Sequence, residues 1–239
     1  MKIRIKFAKE GTMKFIGHLD IMRYFQKVMR KADVHIRYSE GFSPHQIMSF
    51  ASPLSVGAES RGEYVDIEVL DTDSSAEMLK RINEAMVDGM EALSYKLLPD
   101  SAANAMSIVA AADYVVRFRE GHEPKDWHVF AAGLEEFLNQ KEILVTKKTK
   151  KGEREMNIRP MIYALSPVDS KEQAIFMKIA TGSAANLKPD AVMQAYKKSL
   201  GEELEPFALL ITRMEVYANT GSEDAPEFTA LEAFGDDIE

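Results

Sequence analysis

The chain has 239 residues, which suits one large domain or two of ordinary size, and its hydrophobic fraction of 46% is sufficient for a packed core. It has no cysteine, so disulfides, thiolate metal sites, iron–sulfur ligation and cysteine nucleophiles are excluded. No two of its five histidines have the i, i+4 spacing of a helical zinc site, and we expect neither a bound metal nor a cofactor.

The net charge of −8 conceals a charge asymmetry along the chain. Residues 1–50 hold ten Lys and Arg against four Asp and Glu, a local charge of +6. From residue 220 onward there are seven acidic residues and no Lys or Arg. A basic beginning and an acidic end suggest a surface that faces a polyanion, although such charges can also serve only to solvate one face.

The first eleven residues, MKIRIKFAKEG, lack the apolar segment of a signal peptide. No window approaches the roughly 18 consecutive apolar residues of a membrane span. We therefore expect a cytoplasmic protein with no membrane association.

Hydrophobic periodicity in the first hundred residues predicts the order strand, helix, strand, strand, helix, strand. In KIRIKFA, alternation places Ile3, Ile5 and Phe7 on one face and Lys2, Arg4 and Lys6 on the other. A helix is predicted over 18–33, strands over 34–39, 46–51 and 63–70, a capped helix after residue 71, and a strand over 91–99. This order predicts a ferredoxin-like, split βαβ domain over residues 1–100. Both helices of such a domain lie on one face of the sheet, which would leave the cationic face of the first strand open.

The same order recurs in the second half, after a short linker or helix at 100–112. Strands are predicted over 113–120, 173–180 and 206–218, helices over 125–140 and 187–201, and a two-stranded hairpin over 142–160. We therefore predict an α+β protein of two tandem ferredoxin-like units, with an inserted β-hairpin in the second unit, at 113–218. Residues 219–239 have weak patterning and are predicted to form a flexible acidic tail.

Four stretches contain candidate functional residues. In GHLD, His18 and Asp20 stand at a helix start, where unpaired N–H groups and the helix dipole favour an anion; they can equally be a helix start and its cap. GFSPH adds His45, and SPLSVGAESRGEY could form an anion-binding nest or merely connect two strands. KKTKKGERE, continuing to NIRP, is a basic hairpin that could bind a phosphate backbone or remain solvated.

These stretches supply two sets of candidates. The candidate catalytic residues are His18, Asp20 and His45, and a metal shared among them is disfavoured because their spacing is no recognised ligand pattern. The candidate RNA- or phosphate-binding residues are Lys2, Arg4, Lys6, His18, Arg23, Lys27, Arg30, Ser43, Ser60, Arg61, Lys148, Lys151 and Arg159.

Several motifs in order carry a family likeness: GHLD, GFSPH, SFASPL, GAESRGEY and NIRPMI. With them the chain resembles the radical SAM-linked protein family, the domain of unknown function 2344 (DUF2344). The resemblance implies a radical SAM protein as a separate partner chain and an RNA context, because stand-alone members tend to be encoded beside a radical SAM protein and a ribonuclease of the E/G type. It supplies no catalytic residue.

Three hypotheses follow. The first is an accessory or substrate-recognition protein for a radical SAM enzyme that contacts RNA and is not itself an enzyme. The second is a metal-independent RNA-processing or RNA-modifying enzyme that uses His18 and His45 as acid and base. The third is a structural adaptor that binds only protein.

Overall fold

The computed structural model describes residues 1–149, 152–168 and 172–239, without the side chains of 147–149. It is a mixed α+β structure whose strands pair mostly antiparallel, with five α-helices in the described part of the chain. Two compact units divide it: residues 1–110 together with 213–239 form the first, and residues 111–212 form the second. No helix among the described residues has the length and apolar character needed to cross a bilayer.

The helices and strands have the following bounds: β1 Lys2–Lys9, α1 His18–Lys31, β2 Met48–Phe50, β3 Glu59–Glu68, α2 Ser75–Ala85, β4 Met90–Leu98, α3 Ala105–Ile108, β5 Val109–Phe118, α4 Trp127–Leu138, β6 Leu144–Thr149, β7 Gly152–Asn157, β8 Ile162–Val168, β9 Ala174–Ala180, α5 Pro189–Ser199, β10 Leu209–Asn219 and β11 Phe228–Ala230.

The first unit has the strand order β4-β1-β3, and β2 pairs with β3 along its other edge. The apolar residues of β1, Ile3, Ile5 and Phe7, are at most 1% exposed and join one core with the apolar stripe of α1. The Phe7 and Phe25 ring centroids lie 4.6 Å apart. The apolar face of β1, made of alternate residues, therefore packs against the apolar stripe of α1, which repeats every 3.6 residues, and this contact holds the helix on the sheet.

The predicted strand over 34–39 is wrong. Only isolated bridges, Ile36 to Val69 and Tyr38 to Gln46, form there. Asp33 has a φ of 52° just before this segment and Gly41 has a φ of 108° just after it, so the backbone changes direction at both of its ends.

The prediction of a flexible tail over 219–239 is also wrong. Strand β11 pairs with β10, a 3-10 helix runs from Leu231 to Phe234, and Leu231 is 0% exposed. Farther on, Asp236 forms a bridge with Leu97. The weak strand and helix signals of this segment reflect its short elements, which packing against the first unit stabilises rather than local propensity.

The second unit has the strand order β10-β5-β9-β8. Of β10, only residues 209–212 belong to this unit. Phe130, Leu134 and Phe137 of α4 are buried, as are Val192 and Tyr196 of α5. The Tyr196 hydroxyl donates to the Phe130 carbonyl and so joins the two helices. The predicted hairpin is present as β6 and β7, paired from Leu144 opposite Asn157 to Thr149 opposite Gly152.

Candidate functional site

The predicted open cationic face of β1 is covered, which contradicts its assignment as a binding surface. Arg4 is 0% exposed and its guanidinium binds the Asp66 carboxylate through two hydrogen bonds of 2.8 and 2.9 Å. It also donates to the Leu231 carbonyl at 3.0 Å and to the Ala103 carbonyl at 3.2 Å. Because both the segment after β4 and the C-terminal 3-10 helix lie over it, this guanidinium does not reach solvent.

Lys6 is likewise neutralised within the first unit. Its Nζ lies 2.6 Å from Glu215 and 2.7 Å from Glu232. Burial lowers the pKa of Lys6, but the hydrogen bonds and charges of the two glutamates outweigh it, so its pKa lies above the ordinary lysine value. Tyr64 donates to Glu215 at 2.6 Å, and burial together with that carboxylate raises the pKa of its hydroxyl. The cluster is an ion-pair network that holds the C-terminal segment on the sheet.

Lys2 donates to the carbonyls of Asp100 and Ala102 at 2.8 and 3.2 Å. These contacts tie the end of β1 to the segment after β4. The three cations of the predicted surface therefore have intramolecular partners.

The predicted anion nest around Ser60 and Arg61 does not form. Ser60 lies in β3 with 0% exposure, and its hydroxyl accepts the Gly62 N–H at 3.1 Å. Arg61 is exposed but binds Glu10 at 2.7 Å. Pairing of β3 with β1 extends to Ser60 opposite Lys9, so residues 59–64 of the predicted loop belong to a strand, whereas residues 52–58 do not.

The structure does not bring the two candidate catalytic histidines together. His18 begins α1 with its ring 5.6 Å from that of Phe50. His45 is exposed in a loop, with Nδ1 2.9 Å from the Ser39 hydroxyl. The adjacent Gln46 donates to the Gln26 carbonyl at 3.4 Å, and residue 26 is about 12 Å along α1 from residue 18 at 1.5 Å per residue.

The remaining candidates are separate from one another. Ser43 is exposed in the His45 loop, and Asp20 is exposed and binds Arg23 at 3.1 Å. Arg159 begins a 3-10 helix and donates to the Ile162 carbonyl at 3.1 Å. Among the described residues, no three His, Asp or Glu side chains are grouped so that they could hold a metal ion.

Two hairpin candidates cannot be placed as side chains. Lys151 lies outside the described residues. Only the backbone of Lys148 is described, in β6 opposite Glu153.

Three predicted basic residues do share an exposed surface: Arg23, Lys27 and Arg30, which we call the α1 basic row. Their i, i+4, i+7 spacing places them in one stripe of the helix, opposite the buried Ile21, Phe25 and Val28 face. The Arg30 guanidinium donates to the Gln26 carbonyl at 3.2 Å, and this neutral acceptor adds no opposing charge.

A second arrangement is a buried charged cluster that sequence reasoning missed. Lys9 is 3% exposed, Glu63 7% and Arg213 1%. Arg213 forms an ion pair with Glu63 and donates to the Ser52 carbonyl at 2.7 Å. Lys9, His18 and Glu63 line one cavity of about 20 Å³, room for about one water molecule.

The electrostatics of this cluster perturb the amine of Lys9. Burial lowers the pKa of Lys9; the negative charge of Glu63 opposes that effect and the positive charge of Arg213 adds to it, and the net shift is downward. Two cations therefore share one carboxylate in a space with little water. A buried amine of lowered pKa that lines the same cavity as an imidazole is an arrangement that can accept or donate a proton.

The sequence did contain a signal for this cluster. Alternation along β1 places Lys9 on the same side as Ile3, Ile5 and Phe7. In β3, Glu63 is two residues from the buried Val65 and therefore lies on the same face of the strand. A charged residue that continues an apolar face is informative because charges are rarely buried without a partner. His18 and Glu63 come from GHLD and GAESRGEY, and Phe50, Pro53 and Leu54 of SFASPL complete the cavity wall.

Comparisons with known proteins give two findings. The model of a family described as an uncharacterized protein conserved in bacteria (DUF2344) matches residues 2–189. One chain of a solved structure, "Crystal Structure of a Cbf5-Nop10-Gar1 Complex", is similar at 9% identity with a TM-score of 0.47, over 90% of this chain and 48% of that chain. This chain thus spans about half the length of that one. No curated protein matches it.

Proposed function

Because the chain belongs to the DUF2344 family, we propose that it is a cytoplasmic accessory protein that binds RNA for a separate radical SAM enzyme. The motif resemblance supports the partner. The observation that carries the RNA half is the α1 basic row, three exposed cations in one stripe of a single helix. Phosphate contacts of this kind supply sequence-independent affinity for nucleic acid.

The geometry of the α1 basic row suits a phosphate backbone. From residue 23 to residue 30 the helix rises about 10 Å at 1.5 Å per residue. That length corresponds to about three nucleotides of one strand of a double helix, at roughly 3.4 Å per nucleotide along the helix axis. On this stripe Arg23 pairs with the exposed Asp20, and an exposed pair of this type is weak and exchangeable.

The finer fold is part of the same proposal. We propose that each unit is ferredoxin-like, the second with β6 and β7 inserted. The strand orders β4-β1-β3-β2 and β10-β5-β9-β8, with a helix after the first strand and another after the third of each set, support this assignment.

The test of RNA binding uses two triple variants of equal charge change. Arg23, Lys27 and Arg30 are replaced by alanine in one; the exposed Lys80, Lys125 and Lys141 are replaced in the other. Fluorescence anisotropy with labelled poly(U) should show at least a tenfold loss of affinity for the first variant and little change for the second. Equal losses would indicate only a response to net charge and would overturn the assignment of this face.

The test of the partner is a pulldown with the purified radical SAM protein, with and without nuclease. Co-purification that survives nuclease treatment is expected, with RNA present only in the untreated sample. No retained radical SAM protein in either sample would overturn the partner half. Retention of that protein with no RNA at any salt concentration would instead support a structural adaptor.

A second candidate function is an RNA-processing or RNA-modifying enzyme. The observation that favours it is the buried charged cluster, in which His18 shares its cavity with Lys9 rather than with His45. It predicts that the isolated chain converts RNA and that His18→Ala or Lys9→Met abolishes conversion. RNA left chemically unchanged after prolonged incubation with the isolated chain would exclude this candidate.

A further inference from the structure

The second unit contains a cavity that the proposed function does not use. It measures about 560 Å³, within the range of small-molecule sites, and lies where α5, the hairpin strands β6 and β7, and the loop before α5 meet. We infer that this cavity is a binding site for a mononucleotide, a ligand with a negative group, an apolar flat body and a hydrogen-bonding edge.

One face of α5 supplies the charge. Ala191, Gln194, Ala195 and Lys198 line the cavity from a single sector of the helix, and Lys188, the residue directly before α5, lines it as well. The two alanines leave the space open, and the backbones of the two lysines are about 15 Å apart along the helix axis, at 1.5 Å per residue. Among the described residues, no aspartate or glutamate lines this cavity. Charge complementarity therefore selects an anion.

The opposite walls supply apolar surface. Leu144 and Val145 of β6 and Met156 of β7 line the cavity, and Leu187 lies at the end of the preceding loop. Leu144 remains 52% exposed although its strand pairs with β7. A flat apolar body placed against these side chains would remove that surface from water.

Two amide side chains, Asn186 and Gln194, are exposed at the cavity. Each offers one acceptor and two donor hydrogens, the combination that reads the edge of a nucleobase. Inorganic phosphate would use one lysine but neither the amides nor the apolar wall. A phosphate joined to a base uses all three.

The test is calorimetric titration of the full chain with adenosine 5′-monophosphate, adenosine and inorganic phosphate. The monophosphate should bind at least tenfold more tightly than either fragment. Equal binding of inorganic phosphate would reduce the cavity to a simple anion site and overturn the inference, as would no binding of the monophosphate.

Variants place the binding in this cavity. Ala195→Glu introduces a carboxylate on the exposed lining face of α5 and should lower monophosphate affinity at least tenfold, whereas Ala195→Gln, of the same size, should lower it severalfold less. Lys188→Ala and Lys198→Ala should each weaken binding, with the exposed Lys125→Ala as the matched control. Unchanged affinity in Ala195→Glu, at an unchanged circular dichroism spectrum, would overturn the location.

A third arm separates a free nucleotide from a nucleotide within a strand. A tetra-adenylate should compete with the monophosphate weakly. Binding of the oligonucleotide alone, without the monophosphate, would overturn the free-nucleotide assignment. The α1 triple variant should bind the monophosphate normally, so failure here is distinguishable from failure of RNA binding.

Discussion

Removal of the Asp66 carboxylate tests whether the cationic face of β1 is truly closed. Among the described residues, Asp66→Ala leaves the buried Arg4 guanidinium with two carbonyl partners, Leu231 and Ala103, and takes an acceptor from the Ala105 N–H, 2.7 Å from Asp66. Breaking a buried ion pair by removing one partner costs about 3–5 kcal/mol. Because two carbonyl contacts remain, we expect a loss of about 3 kcal/mol from the free energy of unfolding.

Urea unfolding monitored by far-ultraviolet circular dichroism measures this loss as a lower midpoint at constant m-value. The exposed Asp88→Ala serves as the control and should change stability by less than about 0.5 kcal/mol. The double variant Arg4→Met with Asp66→Leu should recover much of the loss, because an apolar pair needs no charge compensation. A cost below about 1 kcal/mol for Asp66→Ala would mean that the guanidinium reaches water, and the covered face would be refuted.

Three further changes have expected outcomes. Folding lowers the pKa of Lys9, so between that lowered pKa and about 10.4 the unfolded chain binds more protons than the folded chain, and the free energy of unfolding rises with pH. Lys9→Met should abolish this rise and should be at least as stable as the wild-type chain at pH 7. Urea unfolding measured at a series of pH values checks both outcomes. Leu231→Ala should cost about 2–5 kcal/mol in the same urea assay, because its side chain is 0% exposed, and a negligible cost would show that the tail is not packed. Gly62→Ala should destabilise by about 1–3 kcal/mol, since a Cβ there would lie 2.6 Å from the Glu215 Cα; an unchanged melting temperature would contradict this close approach.

Hydrophobic periodicity predicted the elements whose buried face follows from the spacing of apolar residues within a short stretch of sequence. The stripe Ile21, Phe25, Val28 and Met29 gave α1 within two residues of its observed end. The weakest prediction was the strand over 34–39, which follows a turn at the left-handed Asp33. Its alternation of apolar residues could not reveal that turn.

The covered face could not be predicted from alternation alone. A strand that alternates Lys or Arg with apolar residues has the same pattern whether its cations are solvated or paired. The partners of Arg4 and Lys6 lie far along the chain, at Asp66, Glu215 and Glu232. These ion pairs form only in the tertiary structure, and they turn the predicted binding surface into a buried internal contact.

Lys9 is a different case, because alternation along β1 places it on the apolar face in the sequence itself. The basic run of residues 1–50 drew attention to cations as a surface feature. A search for charged residues at the strand positions that face the core would have found both Lys9 and Glu63.

The slope of RNA affinity against salt concentration tests the proposed function most directly. For single strands, log K falls with log salt at roughly 0.7 per phosphate contact. If the α1 basic row makes three such contacts, the alanine triple variant should have a slope shallower by about 2 than the wild-type chain, while the Lys80, Lys125 and Lys141 variant keeps the wild-type slope. Identical slopes and affinities for all three proteins would contradict RNA binding through α1.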